Sequence, residues 1–384
     1  MGLKAQTILK LTENDAVGKA LKNSRNASAA FLTIQQQRQL LKSAVNIPNP
    51  ELTWQSPSGL FYVGGLTQTL EFPTVYAKQY QLQKQEVGLA ETQKVFTDAQ
   101  ISYEVRSLYL NIQYADSLKD QLYIQDTIYS KLASSAQRQF DAGQIDFLQK
   151  TFAETQYGEV HNQFEQARLS YKSFINQLKY VIGLDDSITI EPLKAYPFDR
   201  RTALYGRDST LLGKNAELLI FKQTEAISQK NLELQRNRAL PGLAFGYMNQ
   251  SERNTPTNLR FQFGVTVPLW FWQYKGNINA AQTQLSVSQQ RTAGLKQQLN
   301  VQLFQAQNEL AVNYQALEYY QTTGLRKSNQ IISASQRFLK SGETDYVNFL
   351  RNINDAYAIK LKYLGALKNL NQNIITINYL TGKQ

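Results

Sequence analysis

Cysteine is absent from this chain of 384 residues, and histidine occurs only once, at His161. The lack of cysteine excludes disulfides, thiolate metal sites and cysteine nucleophiles. A single histidine excludes catalytic triads and zinc clusters that are built from several histidines. No phosphate-binding loop and no pair of nucleophile and base stands out either. We therefore predict that the protein is not an enzyme and that it holds no metal and no cofactor.

Long apolar runs and basic blocks are also missing. No run approaches the ~18 residues of a transmembrane helix, and no signal-peptide core follows Met1-Gly2, so an exported protein would begin here after its signal. The net charge of +11 suits an acidic partner or an anionic membrane surface, and it equally suits an ordinary basic surface. Because no five Lys or Arg residues are consecutive and aromatics do not interleave with a basic patch, we expect no nucleic-acid binding.

Proline is absent between Val75 and Phe140, a stretch in which apolar residues recur in steps of three and four. That spacing is typical of helices that pack side by side, and it is carried by Ile101, Val105, Leu108, Ile112, Ala115, Leu118 and Leu122. It predicts one long helix from 75 to 140. The turn Asp141-Ala142-Gly143 and a return helix that ends at Val181 complete a helical hairpin.

Two pairs of short strands are predicted between the helices, because the apolar period changes there to two. Pro73 ends the first pair and Pro268 ends the second. The four strands span residues 51–56, 60–72, 243–250 and 259–267. The last strand alternates most clearly between two sets of residues, namely Leu259, Phe261, Phe263, Val265 and Val267 against Arg260, Gln262, Gly264 and Thr266.

The second half of the chain repeats the first. A spacing of 199 residues separates Gly143 from Gly342 and recurs along the return helices that follow. The chain is therefore predicted to consist of two structural repeats, residues 1–195 and 196–384, each with one strand pair and one helical hairpin. The hairpins span residues 75–181 and 274–380. The predicted fold class is mainly α with a small β part.

The apolar side of strand 259–267 has no predicted helix to cover it. Such a face must meet another sheet or lipid, whereas the polar side suggests water. We expect the apolar set to face lipid, namely Leu259, Phe261, Phe263, Val265 and Val267. We expect the polar set to face the lumen of a membrane barrel, namely Arg260, Gln262 and Thr266. Four strands are too few to close a barrel, so several chains must contribute, and three chains would supply twelve strands.

The three tryptophans of the chain lie near predicted strand ends. They are Trp54, Trp270 and Trp272. Tryptophan near the ends of strands is typical of the aromatic girdle of a membrane barrel. Packing at the junction between barrel and helices would explain Trp270 and Trp272 equally well.

The order of helix, proline, strand pair, proline, long helix, turn and return helix, all duplicated, resembles the TolC-like outer-membrane efflux channels of Gram-negative bacteria, the outer membrane factors. The most specific part is the turn of the form Arg-(four residues)-Gly, which occurs as Arg138 to Gly143 and as Arg337 to Gly342. Two further segments look similar to the Cus/Czc heavy-metal efflux branch, namely Glu71-Phe72-Pro73-Thr74-Val75-Tyr76 and Gln125-Asp126 with Ala153-Glu154-Thr155-Gln156.

The resemblance implies a homotrimer in the bacterial outer membrane that extends into the periplasm. Three chains would form a twelve-stranded transmembrane β-barrel in lipid and an α-barrel of long antiparallel hairpins. The trimer would be a passive conduit for a periplasmic adaptor and an inner-membrane RND-type pump, with heavy-metal cations as the cargo of that branch. The hairpin turns would contact the adaptor through Arg138, Gly143, Asp146, Arg337, Gly342 and Asp345. Their Arg and Asp side chains could instead pair locally within each turn.

A soluble coiled-coil scaffold or a membrane-associated helical structural protein is the alternative. Either would explain the long helices and the positive charge. Neither gives the duplicated strands a purpose. A requirement for detergent would favour the channel, and a salt-soluble dimer would favour the scaffold.

Overall fold

The computed structural model describes residues 9–56, 59–184, 186–198, 209–249 and 254–383, and this part of the chain is mainly helical with a small β part. The α-helices are α1 Glu13–Asn23, α2 Arg25–Lys42, α3 Pro73–Asp141, α4 Phe147–Ile182, α5 Ala216–Arg238, α6 Phe271–Tyr319, α7 Leu325–Ser341 and α8 Tyr346–Thr381. The strands are β1 Leu9–Leu11, β2 Glu51–Gln55, β3 Val63–Leu70, β4 Ile188–Ile190, β5 Gly242–Met248 and β6 Phe261–Thr266. The prediction about a signal peptide falls on Met1-Gly2, and the predicted strand 243–250 ends at Gln250. These residues lie outside the described ranges. No helix of the described residues is long and apolar enough to cross a membrane.

The described residues form two compact units, and each unit draws on both halves of the chain. The first unit combines the chain up to Arg25 with Asp98–Leu212 and Leu299–Gln384, and the second combines Asn26–Thr97 with Gly213–Gln298. This spatial grouping is a different property from the predicted repeats 1–195 and 196–384, which stay a prediction.

The first long helix begins two residues before the predicted start, at Pro73. Proline is well suited to the first position of a helix, because its backbone has no N–H to leave unpaired there and its φ is already helical. Apolar side chains along the helix are buried at the predicted spacing, including Val105, Ile112, Ala115 and Leu122. The pattern of threes and fours therefore identified the packed side of α3 correctly.

The long helix of the second predicted hairpin contains an irregularity that the sequence pattern did not indicate. A π-helical turn at Tyr320–Gly324 separates α6 from α7. Gly324 is buried against α8, and a Cβ at this position would lie 3.3 Å from Ile359 Cγ2 and 3.0 Å from Tyr320 Cδ1. The wider π-turn and the missing side chain together allow this close approach.

In the first unit, a short parallel pair of strands closes the core around α1. Strand β1 pairs with β4, with Leu9 opposite Ile188 and Leu11 opposite Ile190. The core beside it contains Val17, Val105, Tyr109, Ile112, Leu178 and Ile182. Thr12 caps α1, because its hydroxyl accepts a hydrogen bond from the Asp15 N–H at 3.2 Å.

In the second unit, four antiparallel strands form one sheet in the order β2-β3-β5-β6. Strands β2 and β3 form one antiparallel pair, and strands β5 and β6 form another. The two pairs join where β3 pairs with β5. Leu70 lies opposite Leu243 at one end of that pair, and Gly65 lies opposite Met248 at the other. The two outer strands, β2 and β6, each have one side without a partner strand among the described residues.

The predicted strand 259–267 is too long at both ends. Leu259 and Arg260 lie in a 3-10 turn, Thr257–Arg260, and Val267 follows the end of β6. The Arg260 guanidinium donates hydrogen bonds to the Thr255 carbonyl oxygen from Nε at 3.0 Å and from Nη2 at 2.8 Å. A turn that is closed by its own arginine cannot continue the extended strand.

Candidate functional site

The sheet has two chemically different faces, because side chains alternate along each strand and the register aligns them across all four strands. One face, here called the apolar face, carries Leu52, Trp54, Leu66, Leu70, Leu243, Phe245, Tyr247, Phe261, Phe263 and Val265, together with Gly64 and Gln68. The other, here called the small–polar face, carries Thr53, Gln55, Gly65, Thr67, Thr69, Gly242, Ala244, Gly246, Met248, Gln262, Gly264 and Thr266, together with Glu51 and Val63. Large side chains of the apolar face are exposed on both an inner and an outer strand, because Phe245 in β5 is 41% exposed and Phe263 in β6 is 79% exposed.

Cross-strand aromatic pairs order the apolar face. The rings of Phe245 and Phe263 meet edge to face at 5.6 Å, and those of Tyr247 and Phe261 do so at 5.2 Å. Trp54 lies over Gly64 on the neighbouring strand, where a Cβ would come within 3.0 Å of Trp54 Cζ3. Such pairs stabilise an antiparallel sheet, so this face is built as a continuous apolar surface although it is exposed.

The predicted lipid and lumen positions divide between the faces only in part. Phe261, Phe263 and Val265 lie on the apolar face, whereas Gln262 and Thr266 lie on the small–polar face, as the alternation predicts. The corrections are Leu259 and Arg260, which lie in the 3-10 turn, and Val267, which lies beyond β6. The lipid and lumen roles themselves stay predictions.

The two later tryptophans belong to an exposed aromatic cluster at the start of α6. The rings of Trp270 and Trp272 lie 5.1 Å apart, and Phe271 meets Trp272 at 5.6 Å. All three rings are exposed. Trp272 is in the first turn of α6 rather than in a strand, because the helix begins at Phe271. Their place in an aromatic girdle stays a prediction.

The two predicted hairpin turns, which both lie in the first unit, share one backbone geometry. Gly143 has a φ of +70° and Gly342 a φ of +74°. After the first glycine the Gln144 N–H donates to the Gln139 carbonyl at 2.8 Å, and after the second the Glu343 N–H donates to the Phe338 carbonyl at 2.9 Å. This arrangement satisfies the last carbonyls of a helix and requires a left-handed residue, which glycine adopts without strain.

The aspartates of both turns cap the helices that follow. The Asp146 carboxylate accepts a hydrogen bond from the Gln149 N–H at 2.7 Å, and the Asp345 carboxylate accepts one from the Asn348 N–H at 2.7 Å. An N-cap side chain pairs one of the N–H groups that a helix leaves free at its start. The capped helices α4 and α8 have equal lengths of 36 residues, and their bounds differ by the same 199 residues as the glycines.

The arginines of the turns do not pair with these aspartates. Arg138 and Arg337 are both exposed, and within the described part of the chain neither guanidinium makes a hydrogen bond or an ion pair. The predicted local pairing of Arg and Asp is therefore absent from the structure. Both arginines are available to an external partner, whereas both aspartates are occupied with the backbone.

Removing the N-cap side chain should weaken one of the two turns. No ion pair is lost, because the arginine of the turn does not pair with this aspartate. We expect Asp146→Ala to destabilise the start of α4 by about 1 kcal/mol, because one backbone N–H loses its acceptor, whereas Asp146→Asn should be nearly neutral. Hydrogen exchange at the Gln149 amide measures this directly. Equal exchange rates in the alanine and asparagine variants would show that the carboxylate does not cap the helix.

Near the turns, a shared core connects the two hairpins, and the sequence did not reveal it. Tyr346 donates a hydrogen bond to Ser135 Oγ at 3.0 Å, and Tyr129 donates one to Asn354 Oδ1. Burial raises the pKa of Tyr129, so its hydroxyl stays protonated and able to donate. The buried members of this core are Tyr129, Ala136, Ala153, Val160, Tyr346, Phe349, Leu350, Ile353 and Tyr357. The spacing of 199 could have drawn attention to Tyr346, because its counterpart is Phe147.

The counterpart residues in the first turn are exposed rather than buried. Phe147 is 66% exposed and Leu148 is 72% exposed, whereas Tyr346 is buried. The two turns thus have the same backbone and different surfaces.

Among the described residues, no group of three or more His, Asp or Glu side chains could hold a metal ion.

No protein-family model matches the chain. The cobalt-zinc-cadmium resistance protein CzcC of Cupriavidus metallidurans is 24% identical over 263 residues, which cover 67% of this chain and 61% of that protein. The match therefore spans less than two thirds of the length of that relative.

Solved structures match over the whole chain. The structure of CusC, described with its transmembrane channel formation, has a TM-score of 0.77 at 14% identity and covers 100% of this chain and 95% of that one. The CmeC outer membrane channel of Campylobacter jejuni has a TM-score of 0.75 at 14% identity, covering 97% of this chain and 85% of that one. These names describe a resistance protein and channels, not enzymes. The chain therefore has the fold of the TolC-like outer membrane factors, and the predicted resemblance to that family and to its Cus/Czc branch is confirmed.

Proposed function

We propose that this protein is the outer-membrane channel of a tripartite efflux system, a passive trimeric conduit that extends from the outer membrane into the periplasm. The observation that carries the proposal is the four-stranded sheet of the second unit. One face is apolar, aromatic and exposed, and the other is small and polar. Lipid outside and water inside is the environment that such an alternation suits.

The open edges of the sheet support assembly from several copies. Within the described ranges, strands β2 and β6 each have a side that no other strand pairs with, and unpaired backbone groups are not tolerated in hydrocarbon. Pairing β6 of one copy with β2 of the next removes every edge when the ring closes. Three copies with four strands each would form a closed barrel of twelve strands.

The helical hairpins supply the proposed contact with a periplasmic adaptor and, through it, with an inner-membrane RND-type pump. Arg138 and Arg337 support this role because both are exposed and unpaired within the described residues. Gly143 and Gly342 shape the turns that present them, and Asp146 and Asp345 hold the helices that follow. The adaptor and the pump are inferred from the resemblance to outer-membrane efflux channels.

Heavy-metal cations are the proposed cargo. The support is the similarity to CzcC, which is named for cobalt, zinc and cadmium resistance. A conduit needs no resident metal site, and selection of the cargo would then belong to the pump. The alternative, a soluble scaffold, is disfavoured because it would leave the aromatic sheet face exposed to water.

Purification and bilayer recording test the proposal together. We expect the protein to require detergent for extraction from membranes, to have the mass of a trimer by native mass spectrometry, and to conduct ions in planar lipid bilayers. A salt-soluble monomer or dimer without conductance would contradict the channel and favour the scaffold.

A further inference from the structure

Helix α7 in the second hairpin carries charged side chains of positive sign only. It contains Arg326, Lys327, Arg337 and Lys340 and no aspartate or glutamate. Its packed side is formed by Ser328, Ile332, Ser335 and Leu339, which are buried or partly buried. Ser328 anchors that side by donating a hydrogen bond to the Ala356 carbonyl of α8 at 2.6 Å. The orientation of α7 about its own axis is therefore well defined.

Arg326 and Arg337 lie opposite the packed side, and Lys340 lies next to them on the exposed side. At 100° per residue, Arg326, Arg337 and Lys340 fall within one narrow sector of the helix, and all three are exposed. They are here called the cationic stripe. The helical rise separates Arg326 from Arg337 by about 16 Å. In the part of the chain that the structure describes, none of the three makes an ion pair or a side-chain hydrogen bond to the protein.

The first hairpin shows that the fold does not require these charges. At the spacing of 199, the counterparts of the cationic stripe on α3 are Thr127, Arg138 and Asp141. These three positions have no net charge, and Asp141 is hydrogen bonded to Gln137 at 2.7 Å. The same turn geometry thus occurs with one cation instead of three.

The helix dipole explains the cationic stripe only in part. Cations are favourable in the last turn of a helix, which accounts for Arg337 and Lys340. Arg326 lies three turns earlier, where the effect has vanished. Three cations held on one face without any compensating carboxylate indicate a surface that is complementary to negative charge.

We propose that the cationic stripe is a docking surface for an acidic face of a partner α-helix, which the proposed periplasmic adaptor would carry. This inference rests on the proposed function and names the chemistry of its partner. Carboxylates spaced eleven and three residues apart share one side of a helix, so they can meet Arg326, Arg337 and Lys340 together. The first hairpin, with Phe147 and Leu148 exposed beside its turn, offers the adaptor a less charged surface.

A designed probe tests the chemistry without the natural partner. The probe is a fluorescently labelled helical peptide with three glutamates spaced eleven and three residues apart, and its control carries glutamine at those positions. Binding to the assembled protein in detergent is measured by fluorescence anisotropy at low and at physiological salt. We expect the acidic peptide to bind at least ~10-fold more tightly than the control and to weaken as salt rises.

Charge-matched variants locate the site. The triple variant Arg326→Gln/Arg337→Gln/Lys340→Gln should lose at least ~10-fold in affinity for the acidic peptide. The variant Lys131→Gln/Lys172→Gln/Lys222→Gln removes the same charge from exposed lysines elsewhere and should change affinity less than ~2-fold. A similar loss in both variants would mean that the peptide responds only to net charge, and the inference would be overturned.

Transferring the pattern provides a second readout. The double variant Thr127→Arg/Asp141→Lys gives the first hairpin the same three cations, and we expect the number of bound peptides per chain to double. Bilayer recordings of the same preparations separate the two ideas. A protein without conductance would refute the proposed channel whatever the peptide does. Normal conductance without peptide binding, or a changed ion selectivity in the triple variant without peptide binding, would refute the docking surface alone.

Discussion

Replacing Phe263 by arginine is expected to prevent the protein from accumulating as an assembled trimer in the outer membrane. Phe263 lies on the apolar face, midway along the outer strand β6, and is 79% exposed. An arginine on the lipid side of a barrel costs about 2–4 kcal/mol near the middle of the bilayer. A trimer incurs this cost three times, which is comparable to the whole stability of many folded domains. Membrane fractionation followed by native mass spectrometry of the detergent extract measures the surviving trimer.

Thr266→Arg is the matched control, because it places the same residue in the same strand on the small–polar face. Here the guanidinium would remain in water, and we expect trimer yield close to that of the unmodified protein with an altered single-channel conductance. If Thr266→Arg were as damaging as Phe263→Arg, or if both were harmless, the assignment of the apolar face to lipid would be refuted.

The largest loss of folding stability is expected from Phe349→Ala. Phe349 is buried in the core that the two hairpins share, beside Tyr129 and Leu350. Removing a buried phenylalanine side chain costs about 3–5 kcal/mol, since apolar contacts are lost and a cavity remains. We expect faster hydrogen exchange in α4, α7 and α8 near the turns and a lower unfolding temperature in detergent.

Phe147→Ala separates burial from residue type. Phe147 belongs to the equivalent region of the first turn but is 66% exposed, so its removal should change stability by no more than about 0.5 kcal/mol. Phe349→Leu should fall between the two, because most of the apolar volume is kept. Equal destabilisation by both alanine variants would argue that the shared core does not hold the hairpins together.

The elements that could be predicted from the sequence are those with a local cause. The steps of three and four along α3 identified its packed side, and the glycines 199 residues apart identified both turns. The alternation at Phe261, Phe263 and Val265 identified the apolar face of β6. In each case a backbone period or a required φ is written in neighbouring residues, so no knowledge of distant contacts is needed.

The features that the sequence pattern did not predict are irregularities fixed by particular contacts. The π-turn at Tyr320–Gly324 exists where α8 brings Ile359 against Gly324, which no local pattern indicates. The strand predicted from Leu259 was shortened because Arg260 bonds to the Thr255 carbonyl and closes a 3-10 turn. The side chain of Arg260, which the alternation predicted to face the lumen, is thus hydrogen bonded to the backbone of its own turn.

The sequence by itself determined the helical hairpins, their turns and the alternation of apolar and polar residues in the strands, because each follows from the period of the backbone. Only the tertiary structure decided which of the alternating faces join into one surface, since strand order and register arise from pairing between distant segments. It also decided that the aspartates of the turns cap helices, whereas Arg138 and Arg337 have no side-chain partner in the ranges that the structure describes. The sequence shows which residues are charged. Whether a charged group is hydrogen bonded within the protein or available to a partner depends on which atoms the fold brings within hydrogen-bond distance.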